Sequence, residues 1–383
     1  MKECIAYEPW AHGEAHFEFN KAFLTVLCNL YDSVVFYGER LHISLLQNSV
    51  DNSKISFIEL KITDYEHIAG KITSFFIELK NILKIRKHAN ENDIFFTYGA
   101  AHTMLYAERL LKRNRCFYIQ HGALEVIQKK LSPLKLNYYL SAALKGCPKN
   151  HRIVVLGESI KSNALKQMPF LAEKMFSLDH PFIPNPFDCK NSNIEKKNKI
   201  LIGTIGVGSL EKGLLGLNEL AKYLYTKNCS RIQLQHIGRI LDCSIDKSLI
   251  DIPFNSSGLI PRELYLDAVK KLDFVLFLYP VDSYKLTASG AVFDAFQCGK
   301  PIIALQNDFF AYLFKKCNAI GYMCKNIDQI KDVLDGLENM NQSDYEAMCR
   351  ASNQILHNFS PDVVAEQLRQ IVFCEYASRR IKC

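Results

Sequence analysis

Residues 284–305 read YKLTASGAVFDAFQCGKPIIAL, and the order of residue types in this stretch decides the fold class. Ala291-Val292-Phe293-Asp294-Ala295-Phe296 has the look of a short helix, and Gly299-Lys300-Pro301 stops it, because glycine ends helices readily and proline cannot continue one. PIIAL is then apolar without alternation, the pattern of a parallel strand covered on both faces. A helix leading into such a strand predicts a layered α/β domain. Backbone N–H groups at a helix start beside a glycine suit an anion, so Ser289 and Gly290 are candidate phosphate contacts. Tyr284 and Lys285 lie just upstream, and Asp294 lies one turn further in.

The same alternation runs through the rest of the chain. ECIAYE (3–8) predicts a first strand, followed by the polar loop PWAHGEAH. Phe19, Ala22, Phe23, Val26, Leu27 and Leu30 then recur at helical spacing on one face. SVVFY (33–37), ISFIEL (55–60), IFFTY (94–98), CFYIQ (116–120) and RIVVL (152–156) are further strands, with a long basic-ended helix over 68–87. Ser159 is the expected cap of a helix reaching Gln167. FIPNPFD (182–188) carries two prolines and is followed by the polar CKNSNIEKKN, which places a domain boundary there. A second alternation follows in KILIGTIG (199–206), a helix over 212–225, RIQLQHIG (231–238), a helix over 262–271, LDFVLFLYP (272–280) and PIIAL, and 361–378 predicts a closing helix.

At 383 residues, 48% hydrophobic and 23% charged, the chain has the make-up of a two-domain globular protein. No apolar run approaches the ~18 residues that span a bilayer, and MKECIAYEPWAHGEAH is no export signal, so the expected location is the cytoplasm. Thirteen cysteines, scattered and without a C-x-x-C pair, predict free thiols. The net charge of +7 is modest, but residues 127–152 hold Lys129, Lys130, Lys135, Lys145, Lys149 and Arg152 and no acid. With Tyr138, Tyr139 and several leucines among them, the segment predicts contact with an anionic membrane surface, on the inner face of the plasma membrane. No nucleic-acid reader motif occurs, so nucleic acid is not an expected partner.

DAFQCGKPIIA resembles the end of a pattern in GT-B glycosyltransferases of the family-4-like bacterial surface-polysaccharide group, close to E-G-F-G-x-x-x-x-E-A-x-A-x-G-x-P-V-I-A. PNPFD likewise resembles the P-N-x-x-D element at which such chains pass between their halves. The resemblance implies two Rossmann-like, doubly wound domains facing a cleft. These are an acceptor-binding domain over 1–187, a nucleotide-sugar-binding domain over 188–360, and a C-terminal helix in 361–383 packing back on the first domain. It implies that Asp294 holds the donor's ribose and that Lys212, in VGSLEKG, meets the diphosphate beside Gly208 and Ser209. The family's first acid falls on Leu286 and its arginine on Val207. His236 and Arg239 in the HIGR turn, and Arg262 after Pro261, are further donor-side candidates.

His121 follows a first-domain strand where many such enzymes have a histidine touching the donor sugar. His16 and Glu14, on the loop after the first strand, are candidates for a general base, an imidazole of pKa ~6.5 suiting proton removal near neutral pH. His12 and His102 are lesser candidates. The expected activity is transfer of a sugar from a nucleotide-diphosphate donor to a hydroxyl of a growing glycan or lipid-linked oligosaccharide of the O-antigen or capsule type. No cofactor or metal is expected, and retention of anomeric configuration is preferred. The alternatives are a nucleotide-sugar 2-epimerase of the same fold or a catalytically degenerate partner subunit.

Overall fold

The computed structural model of the chain describes residues 2–62, 68–128, 136–184, 194–241, 245–254 and 260–380. It divides into two compact units, the first comprising Met1–Ile183, Leu286–Ala288 and Asn358–Cys383, the second Pro184–Lys285 and Ser289–His357. The boundary expected at 187/188 lies outside the described residues, as do Lys129, Lys130 and Lys135.

The first unit is built on seven strands: β1 (Glu3–Tyr7), β2 (Ser33–Gly38), β3 (Ile55–Glu59), β4 (Asp93–Phe96), β5 (Cys116–Gln120), β6 (His151–Val155) and β7 (Met175–Ser177). They pair in parallel in the order β3-β2-β1-β4-β5-β6-β7. Side chains alternate across a strand, so adjacent residues feed opposite layers. Ile5, Tyr7, Phe96 and Tyr118 fill one apolar layer, and Cys4, Ala6, Phe95 and Phe117 the other. Helix Pro361–Arg380 closes the second of these layers against helix Phe17–Cys28, burying Val364, Leu368 and Val372. Polar ties pin it, from Asn29 Nδ2 to Asp362 Oδ1 at 2.8 Å and from Arg115 Nη1 to the Val372 carbonyl at 2.6 Å.

The second unit has five parallel strands, β8 (Ile200–Ile205), β9 (Ile232–Ile237), β10 (Phe274–Phe277), β11 (Ile302–Leu305) and β12 (Gly321–Cys324), in the order β12-β11-β10-β8-β9. In each unit the chain starts in the sheet's interior, runs outward on one side, and then returns to continue on the other. The reversal falls between β1 and β4 in the first sheet and between β8 and β10 in the second. Loops leaving the carboxyl ends of such a pair diverge and open a crevice.

Three local expectations change. Helix Glu158–Gln167 has Gly157, not Ser159, at its N-cap, and Ser159 Oγ makes no hydrogen bond. Arg152 is not a surface charge, since it is buried on β6 and donates to the carbonyls of Lys149 and His151. Gly290 has φ −66 and open space where a Cβ would stand, so a side chain could occupy that position.

Candidate functional site

At the β1/β4 switch the chain places a buried carboxylate. Glu8 follows β1 directly and is fully buried. Its Oε1 accepts from the backbone N–H groups of Trp10 at 2.9 Å and Ala11 at 3.1 Å, and its Oε2 from Asn20 Nδ2 and Thr97 Oγ1, both at 2.9 Å. His16 Nδ1 stands 3.5 Å from the same Oε2. Burial alone would push the Glu8 carboxyl up; His16, Asn20 and the Trp10 N–H more than offset it and hold it well below the usual carboxylate range. The loop after β1 is fixed further by His42, whose Nδ1 donates to the Gly13 carbonyl at 2.7 Å while its Nε2 accepts from Asn20 at 2.9 Å.

Around this carboxylate the rings converge. His16, in left-handed backbone conformation just before helix Phe17–Cys28, stacks on His121 with centroids 4.5 Å apart and also meets Trp10 at 4.8 Å and Tyr98 at 5.6 Å. His121 Nε2 donates to the Thr97 carbonyl at 3.0 Å, which leaves Nδ1 as its acceptor. Burial, with neighbouring His16 and His180, drives His121 well below the ordinary histidine range, and burial takes His180 to about 4. Both rings are therefore neutral at pH 7.

Residues 286–288 belong to this unit. Leu286 is completely buried in its apolar core, its N–H donating to Glu125 Oε1 at 2.8 Å, and Thr287 Oγ1 donates to the His121 carbonyl at 2.6 Å. A carboxylate at position 286 would lie in this apolar core.

At the β8/β10 switch lies a small cavity of about 20 Å³, lined by Gly208, Ser209, Lys212, His236 and Tyr279 among others. Lys212 ends a turn of 3₁₀ helix, Leu210–Lys212, and burial lowers its ammonium below the usual lysine value. Among the described residues it has no carboxylate partner. Burial takes His236 to about 4, against the opposing effect of the Arg239 backbone; its Nδ1 is 2.8 Å from Thr204 Oγ1, and Nε2 is buried. Two glycines make this arrangement possible. A Cβ on Gly208 would meet the His236 ring at 2.9 Å, and Gly213, at φ +84, would set one 2.0 Å from the Leu278 carbonyl oxygen.

Other candidates are already engaged. Asp294 accepts from Arg262 Nη2 at 2.5 Å, Gln297 Nε2 at 3.2 Å and Tyr265 O–H at 3.2 Å. Lys285 pairs with Asp282 at 2.6 Å, and Ser289 Oγ shares a 3.1 Å hydrogen bond with Tyr279 O–H. Tyr284, at φ 58, stacks on Tyr279 with centroids 4.2 Å apart. Arg239 is exposed, and its carbonyl accepts from the Gly208 N–H at 2.8 Å. Glu14 and His12 are exposed on the loop after β1, apart from the ring cluster. His102 is buried against Phe75, with burial lowering it to about 4, and is a core histidine. Sequence reasoning passed over Glu8, Trp10, Tyr98, Thr97 and His180; the one available signal was an acid closing the apolar run of the first strand. Among the described residues no group of three His, Cys, Asp or Glu side chains is placed to hold a metal ion.

No protein-family model matches the sequence, and no curated protein does. Solved structures do match. HepE of Anabaena, in complex with UDP and glucose, superposes with a TM-score of 0.65 at 13% identity, over 97% of this chain and 99% of that one. The UDP-forming α,α-trehalose-phosphate synthase of Burkholderia vietnamiensis gives 0.66 at 9% identity, over 99% of both chains. WaaG, a glycosyltransferase involved in lipopolysaccharide biosynthesis, gives 0.61 at 14% identity, over 97% of this chain and 99% of that one. These neighbours are GT-B glycosyltransferases, and the chain has the GT-B fold.

Proposed function

We propose that this protein is a glycosyltransferase that moves a sugar from a nucleotide-diphosphate donor to a hydroxyl of a growing bacterial surface glycan carried on a lipid. The observation that carries the reading is Lys212, an ammonium drawn partly out of water beside His236, at the glycine-framed switch point of the second sheet. Such a charge calls for an anion, and a diphosphate leaving group supplies one whose charge grows as the sugar departs. In this reading Thr204 Oγ1 donates to His236 Nδ1, which leaves the imidazole proton on Nε2 beside Gly208. The HepE structures hold UDP and UDP-glucose, which makes a uridine diphosphate sugar the first donor to test.

In this reading the first unit receives the acceptor. His121 Nδ1 accepts a hydrogen bond from the sugar, and Glu8 fixes the loop that carries His16. We assign a retaining transfer: the acceptor oxygen bonds to the anomeric carbon, the sugar–phosphate bond breaks with its electron pair going to the diphosphate, and the acceptor's proton ends on that diphosphate. Asp294 reaches a ribose only by sharing its carboxylate with Arg262, Tyr265 and Gln297.

The test is a thermal-shift screen over UDP-, GDP-, dTDP-, ADP- and CMP-sugars, repeated on Lys212→Ala. A shift with one nucleotide class that Lys212→Ala abolishes supports the reading; a full shift in the variant removes Lys212 from the site. Nucleotide release that needs no acceptor would favour the epimerase, and an inverted product lost in His16→Ala but kept in His121→Ala would overturn retention.

A further inference from the structure

Helix Ile68–Ala89 buries Ser74, Glu78, Ile82, Ile85 and Ala89 and turns a second face to solvent. Residues 76, 80, 83 and 87 follow one another at steps of four and three, so they form one stripe. That stripe is Phe76, Lys80, Leu83 and Lys87, with Lys84 beside it. Phe76 is 71% and Leu83 40% exposed, unusual for large apolar side chains. Along the same helix runs an open groove of about 780 Å³, lined by Lys61, Lys80, Lys84, Arg86 and Lys87 against one carboxylate, Glu59. Lys84 Nζ donates to the Glu59 backbone carbonyl at 3.3 Å, and none of the five cations has a carboxylate partner among the described residues.

We infer that this face docks the protein on a bilayer containing anionic lipid. Five cations without a carboxylate partner among the described residues would alone fit any polyanion, but a soluble polyanion gives Phe76 and Leu83 nothing to enter. A membrane surface accommodates both. The apolar side chains enter the acyl boundary, while the lysines lay their stems along it and keep their ammonium groups at the headgroups. The face differs from the expected basic segment over 127–152, of which the described cations are exposed Lys145 and Lys149 and buried Arg152. The inference stands apart from the glycosyltransfer reading, because the helix face shares no residue with either candidate site.

Sedimentation of the full chain with phosphatidylcholine vesicles, with and without phosphatidylglycerol, tests it in the absence of donor and acceptor. The wild type binds the anionic vesicles and is released by salt. Each basic residue at an anionic surface changes partitioning about fivefold, so Lys80→Gln/Lys84→Gln/Lys87→Gln lowers it roughly a hundredfold. Phe76→Ser/Leu83→Ser lowers it by roughly tenfold or more. All five positions are exposed, so the melting temperature of each variant stays that of the wild type. Lys145→Gln/Lys149→Gln binds as the wild type does. Undiminished binding in either helix variant, equal binding to neutral vesicles, displacement by polyglutamate of the Phe76→Ser/Leu83→Ser and wild-type proteins alike, or a loss confined to Lys145→Gln/Lys149→Gln would overturn the inference.

Discussion

Replacing Glu8 by glutamine keeps the shape of the side chain and removes its charge. Four donors converge on the carboxylate, two backbone N–H groups on Oε1 and the Asn20 and Thr97 side chains on Oε2. A glutamine offers one oxygen, so whichever pair of donors meets its NH₂ must turn away. Hydrogen bonds to a charged group contribute about 1 kcal/mol more than neutral ones, so the loss is roughly 3–4 kcal/mol. For a unit of this size, with a urea m-value of about 2–3 kcal/mol/M, the midpoint falls by about 1–2 M. The chain's single tryptophan, Trp10, donates its own N–H to Glu8, so urea unfolding followed by its fluorescence reports this unit. The sign of the pH dependence follows from the depressed folded pKa: the stabilisation is present above the unfolded value of about 4.3 and is lost as pH falls toward the folded one. The gap between wild type and Glu8→Gln is therefore full at pH 7 and narrows below about pH 4. Equal midpoints at pH 7, or a gap that does not narrow in acid, would refute the reasoning.

Three further outcomes are expected. Leu286→Glu, which restores the acid of the resembling pattern, puts a carboxylate into a fully buried site and lowers stability by about 3 kcal/mol or more; an unchanged melting temperature would show that the site admits water. Gly213→Ala forces a Cβ to 2.0 Å from the Leu278 carbonyl, so nucleotide-induced stabilisation disappears while Trp10-reported unfolding in urea stays as in the wild type. Glu78, buried and bonded to the Tyr7 O–H at 2.7 Å, is pushed up to about 7 by burial. Its folded form keeps a proton that the unfolded form has released, so it costs stability progressively as pH rises from about 4.3 toward 7. Urea midpoints for Glu78→Gln lack that decline, and parallel pH profiles for variant and wild type would exclude it.

What was legible in the sequence is what neighbours along the chain decide. Apolar runs such as IFF and PIIAL specify strands covered on both faces, and the spacing of Phe19, Phe23, Val26 and Leu27 specifies a buried helix face. The glycines around Lys212 mark a loop whatever sheet it leaves. Strand order was not legible, and strand order makes the crevices: β1 lies between β2 and β4, and β8 between β9 and β10, through hydrogen bonds between residues far apart in the chain. Only that ordering brings Glu8, Thr97 and His121 together across more than a hundred residues, and sets His236 beside Lys212. The same holds for the burial of Leu286 and Arg152 and for the pairing of Asp294, none of which the local pattern shows. Their burial and pairing depend on which distant side chains complete the shell around them, and the desolvation of a charge is a property of that shell rather than of the residue.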